Sequence, residues 1–295
     1  MLNKSTKTNR LLGFLSGLTA AAIWGGMYVV SKMVMTVVPP FSLIVTRLVL
    51  GILTLTIIVL IRKSWNVSPR QFWQIFGVGL VGYGVSLGFQ FVGTNLSTAA
   101  NGSLVTSTTP AFVLLFAALL LAEKVTPRRL LALGIATLGV VAVIDPRNSA
   151  LSPSFFWGNM SLVAAALTWA LYSVLIRKVT RDTDVLSTTL IAFIGGLPVC
   201  LPLGGWELAT HQLGTISVWV VGGILFLGII STALAMYLWN TAFSILDAGA
   251  ASLTFFAQPV VGTLLSVLFL SEHITPLFVV GGVLIGIALL LSSKT

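Results

Sequence analysis

The chain has 295 residues, of which 57% are hydrophobic and 8% charged, with 16 Lys and Arg against 7 Asp and Glu. Roughly 25% charge is ordinary for a soluble domain, so the composition excludes a soluble globular protein, and apolar runs of about 18 residues or more recurring from Leu11 to Leu291 identify a polytopic membrane protein. The net charge of +9 does not point to nucleic acid, because the cations fall in connections rather than in a stripe interleaved with aromatics; Cys200, His211 and His273 supply neither an internal disulfide nor a metal-ligand cluster, and no cofactor is expected.

Taken between Pro, Gly and charge punctuation, the apolar runs predict ten helices, near residues 11–34, 42–61, 71–92, 98–121, 128–144, 155–177, 186–205, 215–240, 248–270 and 275–292. Residues 1–10 are read as a tail. Its Lys4, Lys7 and Arg10, followed by Ala20-Ala21-Ala22, imitate a signal peptide, but the apolar run continues to Val34 and is too long for one, so cleavage is not expected. With this tail inside, thirteen of the sixteen cations lie in the tail, in the 2/3, 4/5 and 6/7 connections or at Lys294. Only Lys32 and Arg147 lie outside, and Arg47 falls within the second helix. The positive-inside rule then predicts a multi-pass protein of the inner or plasma membrane with both termini cytoplasmic.

The chain also resembles itself. At an offset of 149, residues 98–127 overlay 247–276, with the pattern Pro-x12-Glu-x2-Thr-Pro repeated from Pro110 to Pro127 and from Pro259 to Pro276. At an offset of 145 the first helix overlays the sixth through Gly13/Gly158, Ser16/Ser161, Ala20/Ala165, Trp24/Trp169 and Lys32/Arg177. Residues 11–144 and 155–292 are therefore read as two copies joined by a linker at 145–154. An odd number of helices per copy inverts the second. Consistent with this, Lys124, Arg128 and Arg129 mark the 4/5 connection, whereas Glu272-His273-Ile274-Thr275-Pro276 has no Lys or Arg. The expected fold is all-α, ten transmembrane helices as two inverted five-helix repeats, the plan of alternating-access transporters with a site near the midplane.

Two motifs suggest other chemistry. Gly77-Val78-Gly79-Leu80-Val81-Gly82 fits the dinucleotide fingerprint, but it lies inside an apolar helix with no preceding strand and reads as close helix packing. Gly84-Val85-Ser86-Leu87-Gly88 fits the nucleophile pattern of serine hydrolases and gives a different-class alternative, an intramembrane hydrolase using Ser86. Such a serine needs a base within reach. Both histidines lie in connections, and no Asp, Glu or Lys lies at its depth.

A solute site is predicted from interrupted helices and from polar and aromatic stripes. Pro110 and Pro259 occupy corresponding positions of the fourth and ninth helices, where each removes a helical donor and allows a kink or hinge. Trp24, Tyr28 and Lys32 form an i, i+4, i+8 stripe, and Trp169 and Tyr172 follow on the sixth helix. Tyr83, Gln90, Asn101, Tyr237, Asn240, Phe255 and Gln258 complete a candidate substrate-binding set. Arg47 either snorkels or meets a solute carboxylate, and Lys32 has the same two options. Glu123 and Glu272 are expected to tie down the turns before Thr126-Pro127 and Thr275-Pro276.

Ala21-Ala22-Ile23-Trp24-Gly25, Thr109-Pro110 through Leu121-Ala122-Glu123, and Gly134 with Gly139-Val140 resemble the EamA family of the drug/metabolite transporter superfamily. Pro259, Glu272 and Gly282 with Gly286 repeat the pattern, although Gly25 is matched by Ala170 and Lys124 by His273. The resemblance implies a helical basket with a central cavity lined by helices 1, 3, 4, 6, 8 and 9, and outward transport of small metabolites. With few cations among the lining candidates, phosphate-rich solutes are disfavoured. The resulting expectation is an alternating-access exporter of small amphipathic metabolites, amino acids or related zwitterions, acting as monomer or homodimer and not as an enzyme. An exporter of lipophilic drugs or toxic compounds is the same-class alternative.

Overall fold

The structure is a computed structural model that describes residues 4–121, 127–144, 153–180, 183–246, 248, 251 and 254–293, all helices and short connections with no strand among them. The helices are α1 (Lys4–Val34), α2 (Pro40–Arg62), α3 (Pro69–Leu96), α4 (Ala99–Leu121), α5 (Pro127–Ile144), α6 (Pro153–Val179), α7 (Val185–Thr210), α8 (Val218–Ile245), α9 (Ala257–Leu270) and α10 (Pro276–Ser293). Seven of them, α1–α4 and α6–α8, are long and apolar enough to cross a membrane, while α5, α9 and α10 contribute shorter apolar segments. Glu123 and Thr126, and all but the last two residues of the 145–154 linker, lie outside the described residues.

Helix starts follow local chemistry. Ser68 forms a capping box with Gln71 ahead of Pro69, and Thr98 accepts from the Asn101 N–H at 3.0 Å. The Asp184 carboxylate accepts from the Ser187 N–H at 3.0 Å, and Thr275 accepts from the Phe278 N–H at 3.1 Å with Pro276 in the first turn. Several bounds differ from those expected. Helix α1 begins at Lys4 because no Gly or Pro interrupts residues 4–10, and α7 runs on to Thr210 through Pro198 and Pro202. Within the segment expected at 248–270, Ala248 and Ala251 are helical, a 3-10 turn spans Thr254–Phe256, and α9 follows from Ala257.

Two helices contain a π-helical stretch, Leu80–Ser86 in α3 and Phe226–Leu234 in α8, starting 146 residues apart and ending 148 apart. Helix α4 is broken at Ser107-Thr108 into Ala99–Thr106 and Thr109–Leu121, the position matched at an offset of 149 by the turn before α9. The helix pairing is also reciprocal: α1 packs on α8 and α9, α6 on α3 and α4, α2 on α7 and on the π stretch of α8, α7 on that of α3, and α5 on α10. Exchanging α1–α5 for α6–α10 leaves this pattern unchanged.

Glycines permit the closest approaches. A Cβ on Gly25 would lie 2.7 Å from the Gln258 carbonyl oxygen, and one on Gly139 would lie 2.9 Å from that of Gly281. Of the apparent fingerprint glycines, Gly79 abuts the Ala192 backbone and Gly82 the Tyr172 ring, whereas Gly77 faces open space. Leu60, Leu119, Val218 and Trp219 are among the apolar side chains exposed on the outside of the bundle, where a bilayer would solvate them.

Candidate functional site

Helices α1, α3, α4, α6, α8 and α9 converge on a small cavity of about 20 Å³. Trp24, Met27 and Tyr28 reach it from one face of α1, at i, i+3 and i+4. Ser86, Leu87 and Gln90 come from α3 just past its π stretch, Thr106 and Thr109 from either side of the α4 break, Ala165, Ala166 and Trp169 from α6, and Met236 from α8. Phe255 and Gln258 complete the wall at the entry to α9. The space has room for about one water, so a solute of amino-acid size enters only as the helices part.

One end of the wall is a hydrogen-bonded polar floor. The Tyr28 hydroxyl lies 2.7 Å from Thr106 Oγ1 and accepts from Gln90 Nε2. Gln258 Nε2 donates to Thr106 Oγ1 at 2.8 Å and to the Ser103 carbonyl at 3.1 Å. The other end is aromatic: Trp24 meets Trp169 edge to face at 5.7 Å between ring centroids and Phe255 at 5.9 Å. The Trp24 indole N–H donates to the Ser231 carbonyl at 3.1 Å, while that of Trp169 is buried without a partner. Pro110 lies in the first turn after the α4 break rather than at the kink itself, and Pro259 lies in the first turn of α9.

Several candidates occupy a layer behind the wall. Tyr83 OH donates to Tyr172 OH at 2.7 Å, Tyr172 OH to Asn240 Oδ1 at 3.2 Å, and Asn240 Nδ2 to Thr189 Oγ1 at 2.9 Å, a chain in which every hydroxyl and amide is buried. Asn101 sits at the start of α4, donating to Ser97 Oγ and to Asn159 Oδ1. Tyr237 is half-buried among other side chains and does not line the cavity. The sequence missed Met27, which shares the Trp24 face, and Met236, whose orientation is set by the π stretch before it.

The two cations differ. Lys32 Nζ donates to the carbonyls of Thr94, Asn95 and Ser97 at 2.6 to 2.9 Å, capping the end of α3. Arg47 does not snorkel: it is 0% exposed, with Nε on Thr232 Oγ1 at 2.7 Å, Nη2 on Ser231 Oγ at 3.3 Å, Nη1 on Met27 Sδ at 3.3 Å and its guanidinium 4.9 Å above Phe91. Among the described residues its hydrogen-bond partners are all neutral, and Met27 alone of them also lines the cavity. Glu272 turns away from its own turn to accept from the Ala99 and Ala100 N–H groups at 2.8 and 2.9 Å. Ser86 Oγ donates to the Ala165 carbonyl at 3.0 Å, and His211 is exposed beside Thr210.

The arrangement is an uncharged, partly aromatic cavity built between helices from both halves of the chain, a place to bind rather than to react. The profile of the EamA-like transporter family matches residues 11–144 and 156–294. Relatives include an uncharacterized transporter, YyaM, of Bacillus subtilis, 26% identical over 79% of this chain and 76% of its own. The aromatic amino acid exporter YddG of Ancylobacter novellus is 28% identical over 86% of this chain and 87% of its own. A solved crystal structure, 21% identical, superposes on 96% of this chain and 98% of its own with a TM-score of 0.68, which shows a shared fold. A multi-pass membrane protein built around such a cavity and matched along both halves by one transporter profile belongs to the EamA-like transporter family.

Proposed function

We propose that the protein exports small amphipathic metabolites, amino acids or related zwitterions, by alternating access between two inverted five-helix repeats, with both termini in the cytoplasm. The observation that carries this reading is the cavity where α1, α3 and α4 meet α6, α8 and α9, with an amide and hydroxyl floor at one end and edge-to-face indoles at the other. The reciprocal helix pairing and the matched π stretches support the repeat plan. A relative bears the name of an aromatic amino acid exporter, and the aromatic end of the cavity suits an aromatic or aliphatic side chain.

Arg47 would serve the solute carboxylate. Its guanidinium is separated from the cavity by the Met27 thioether, a weak acceptor that a carboxylate readily replaces. Tyr28, Gln90 and Gln258 would orient polar groups of the solute, and Trp24, Trp169 and Phe255 would pack its side chain. Tyr83, Tyr172, Asn101, Tyr237 and Asn240 support these from behind, and Pro110 and Pro259 mark the hinges. A second reading, carriage of lipophilic compounds, is favoured by the absence of any ionised side chain from the cavity wall.

The test is counterflow in proteoliposomes, which needs no energy source. A panel of labelled amino acids is compared with the corresponding carboxamides and with a lipophilic dye, in the parent and in Trp24→Ala/Trp169→Ala. Saturable exchange of an amino acid, lost in the double variant, with the carboxamide exchanged at least about tenfold less well, is the expected result. Exchange of the dye alone moves the assignment to lipophilic compounds. No exchange of any probe by folded protein overturns both readings.

A further inference from the structure

The two π stretches each leave one carbonyl without its helical donor. At the end of the α3 stretch the Leu87 N–H bonds the Gly82 and Gly84 carbonyls and passes over that of Tyr83. At the end of the α8 stretch the Ala235 N–H bonds those of Ile230 and Thr232 and passes over that of Ser231. A buried carbonyl left in this way needs another donor, and each receives one from a neighbouring helix. Ser231 receives the Trp24 indole N–H at 3.1 Å. Tyr83 receives the Cys200 thiol at 3.5 Å, a far weaker donor.

Trp169 is the counterpart of Trp24 at the 145-residue repeat offset. It lies against Tyr83 with ring centroids 5.9 Å apart, is more than nine-tenths buried, and its N–H has no partner. One tryptophan therefore holds the spare carbonyl of the opposite half, and its counterpart lies against the ring of the residue that bears the equivalent carbonyl, with its N–H unpartnered. Trp239, the other buried indole without a partner, lies on α8 itself and belongs to neither pair. Inverted repeats reach the opposite-facing state when the two halves exchange conformations, and the difference between the two tryptophans is one that such an exchange reverses.

We propose that Trp24 and Trp169 alternate as donors to the two π-stretch carbonyls, Trp24 to Ser231 in this state and Trp169 to Tyr83 in the state open to the other side. The proposal rests on the alternating-access reading above. Each bond exists in one state only, so each biases the equilibrium towards the state that contains it. Both rings also wall the cavity, so a solute touching them acts on that equilibrium directly.

The test uses the protein in oriented proteoliposomes, with Ala166→Cys on the cavity wall as reporter and Cys200, which does not line the cavity, left in place. A membrane-impermeant maleimide is applied from either side and the ratio of the two labelling rates is read. Each tryptophan is replaced in turn by benzothienylalanine, which keeps the bicyclic shape and removes the N–H, and by Phe as a second variant should the first fold poorly. Replacement at position 24 is expected to shift the ratio about fivefold one way and replacement at 169 about fivefold the other, the worth of one hydrogen bond. Shifts in the same direction, or a shift at one position only, overturn the proposal. So does an effect at 169 that requires solute, since that N–H is then a solute ligand. Labelling from one side alone in every variant is a separate failure, that of alternating access itself.

Discussion

Thr109 Oγ1 donates a 2.7 Å hydrogen bond to the carbonyl oxygen of Thr106, the group that Pro110 deprives of its helical donor. The residue before the proline thus closes the gap the proline opens, and the neighbouring Thr106 hydroxyl remains available to Tyr28 and Gln258. Thr109→Val keeps the shape and removes the donor. It is expected to lower stability by about 1–3 kcal/mol, read as a shift in denaturant midpoint in detergent, whereas Thr109→Ser retains stability.

Gly25 and Gly77 predict opposite outcomes for the same substitution. A Cβ on Gly25 meets the Gln258 carbonyl at 2.7 Å and the Gly262 nitrogen at 2.9 Å, atoms of a helix backbone that move only if α1 and α9 separate. Gly25→Ala should cost about 1–3 kcal/mol and weaken solute exchange, since Gln258 is displaced. Nothing lies within 4 Å of a Cβ on Gly77. Gly77→Ala should therefore stabilise α3 by about 0.5–1 kcal/mol with exchange unchanged; thermal unfolding of both variants beside the parent decides the matter.

Asn240 bridges Tyr172 and Thr189 in the layer behind the cavity. Asn240→Ala leaves the buried Tyr172 O–H without its acceptor and takes one donor from Thr189, and should lower stability by about 1–3 kcal/mol, with the half-saturating solute concentration altered less than about threefold. A tenfold or larger rise in that concentration, at unchanged stability, would place Asn240 on the solute instead. The variant accordingly does not separate amino-acid carriage from drug carriage, as a wall residue would.

Lys32 and Glu272 hold the two sides of one turn, Lys32 through the last carbonyls of α3 and Glu272 through the first N–H groups of α4. Lys32→Met and Glu272→Gln should each destabilise the protein, and the double variant by less than the sum, with a coupling of about 0.5–1 kcal/mol. Strict additivity would mean that the turn is held at each end independently.

The helix start at Thr275-Pro276 was legible because capping is local chemistry, and the Trp24–Tyr28 face because 3.6-residue periodicity held through α1. Depth in the membrane marked Tyr83, Asn101 and Asn240 as polar groups needing partners, but partners in protein and partners in solute satisfy the same requirement, so sequence could not separate wall from backing layer. The depth of Arg47 was visible while its inward direction was not, since Ser231 and Thr232 lie more than 180 residues away. Glu272 was read against its own turn because its real partners, Ala99 and Ala100, are remote in the chain.

A π stretch is an α-helix carrying one surplus residue. Each residue turns an α-helix by about 100° and advances it about 1.5 Å, so the surplus near Tyr83 resets the phase of everything that follows in α3. Ser86 and Gln90 face the cavity on this second phase, and one helical wheel cannot describe α3 before and after Leu80–Ser86. Removing one residue from that stretch would straighten the helix, carry Gln90 away from Tyr28 and leave a cavity with its aromatic end intact and its polar floor dismantled.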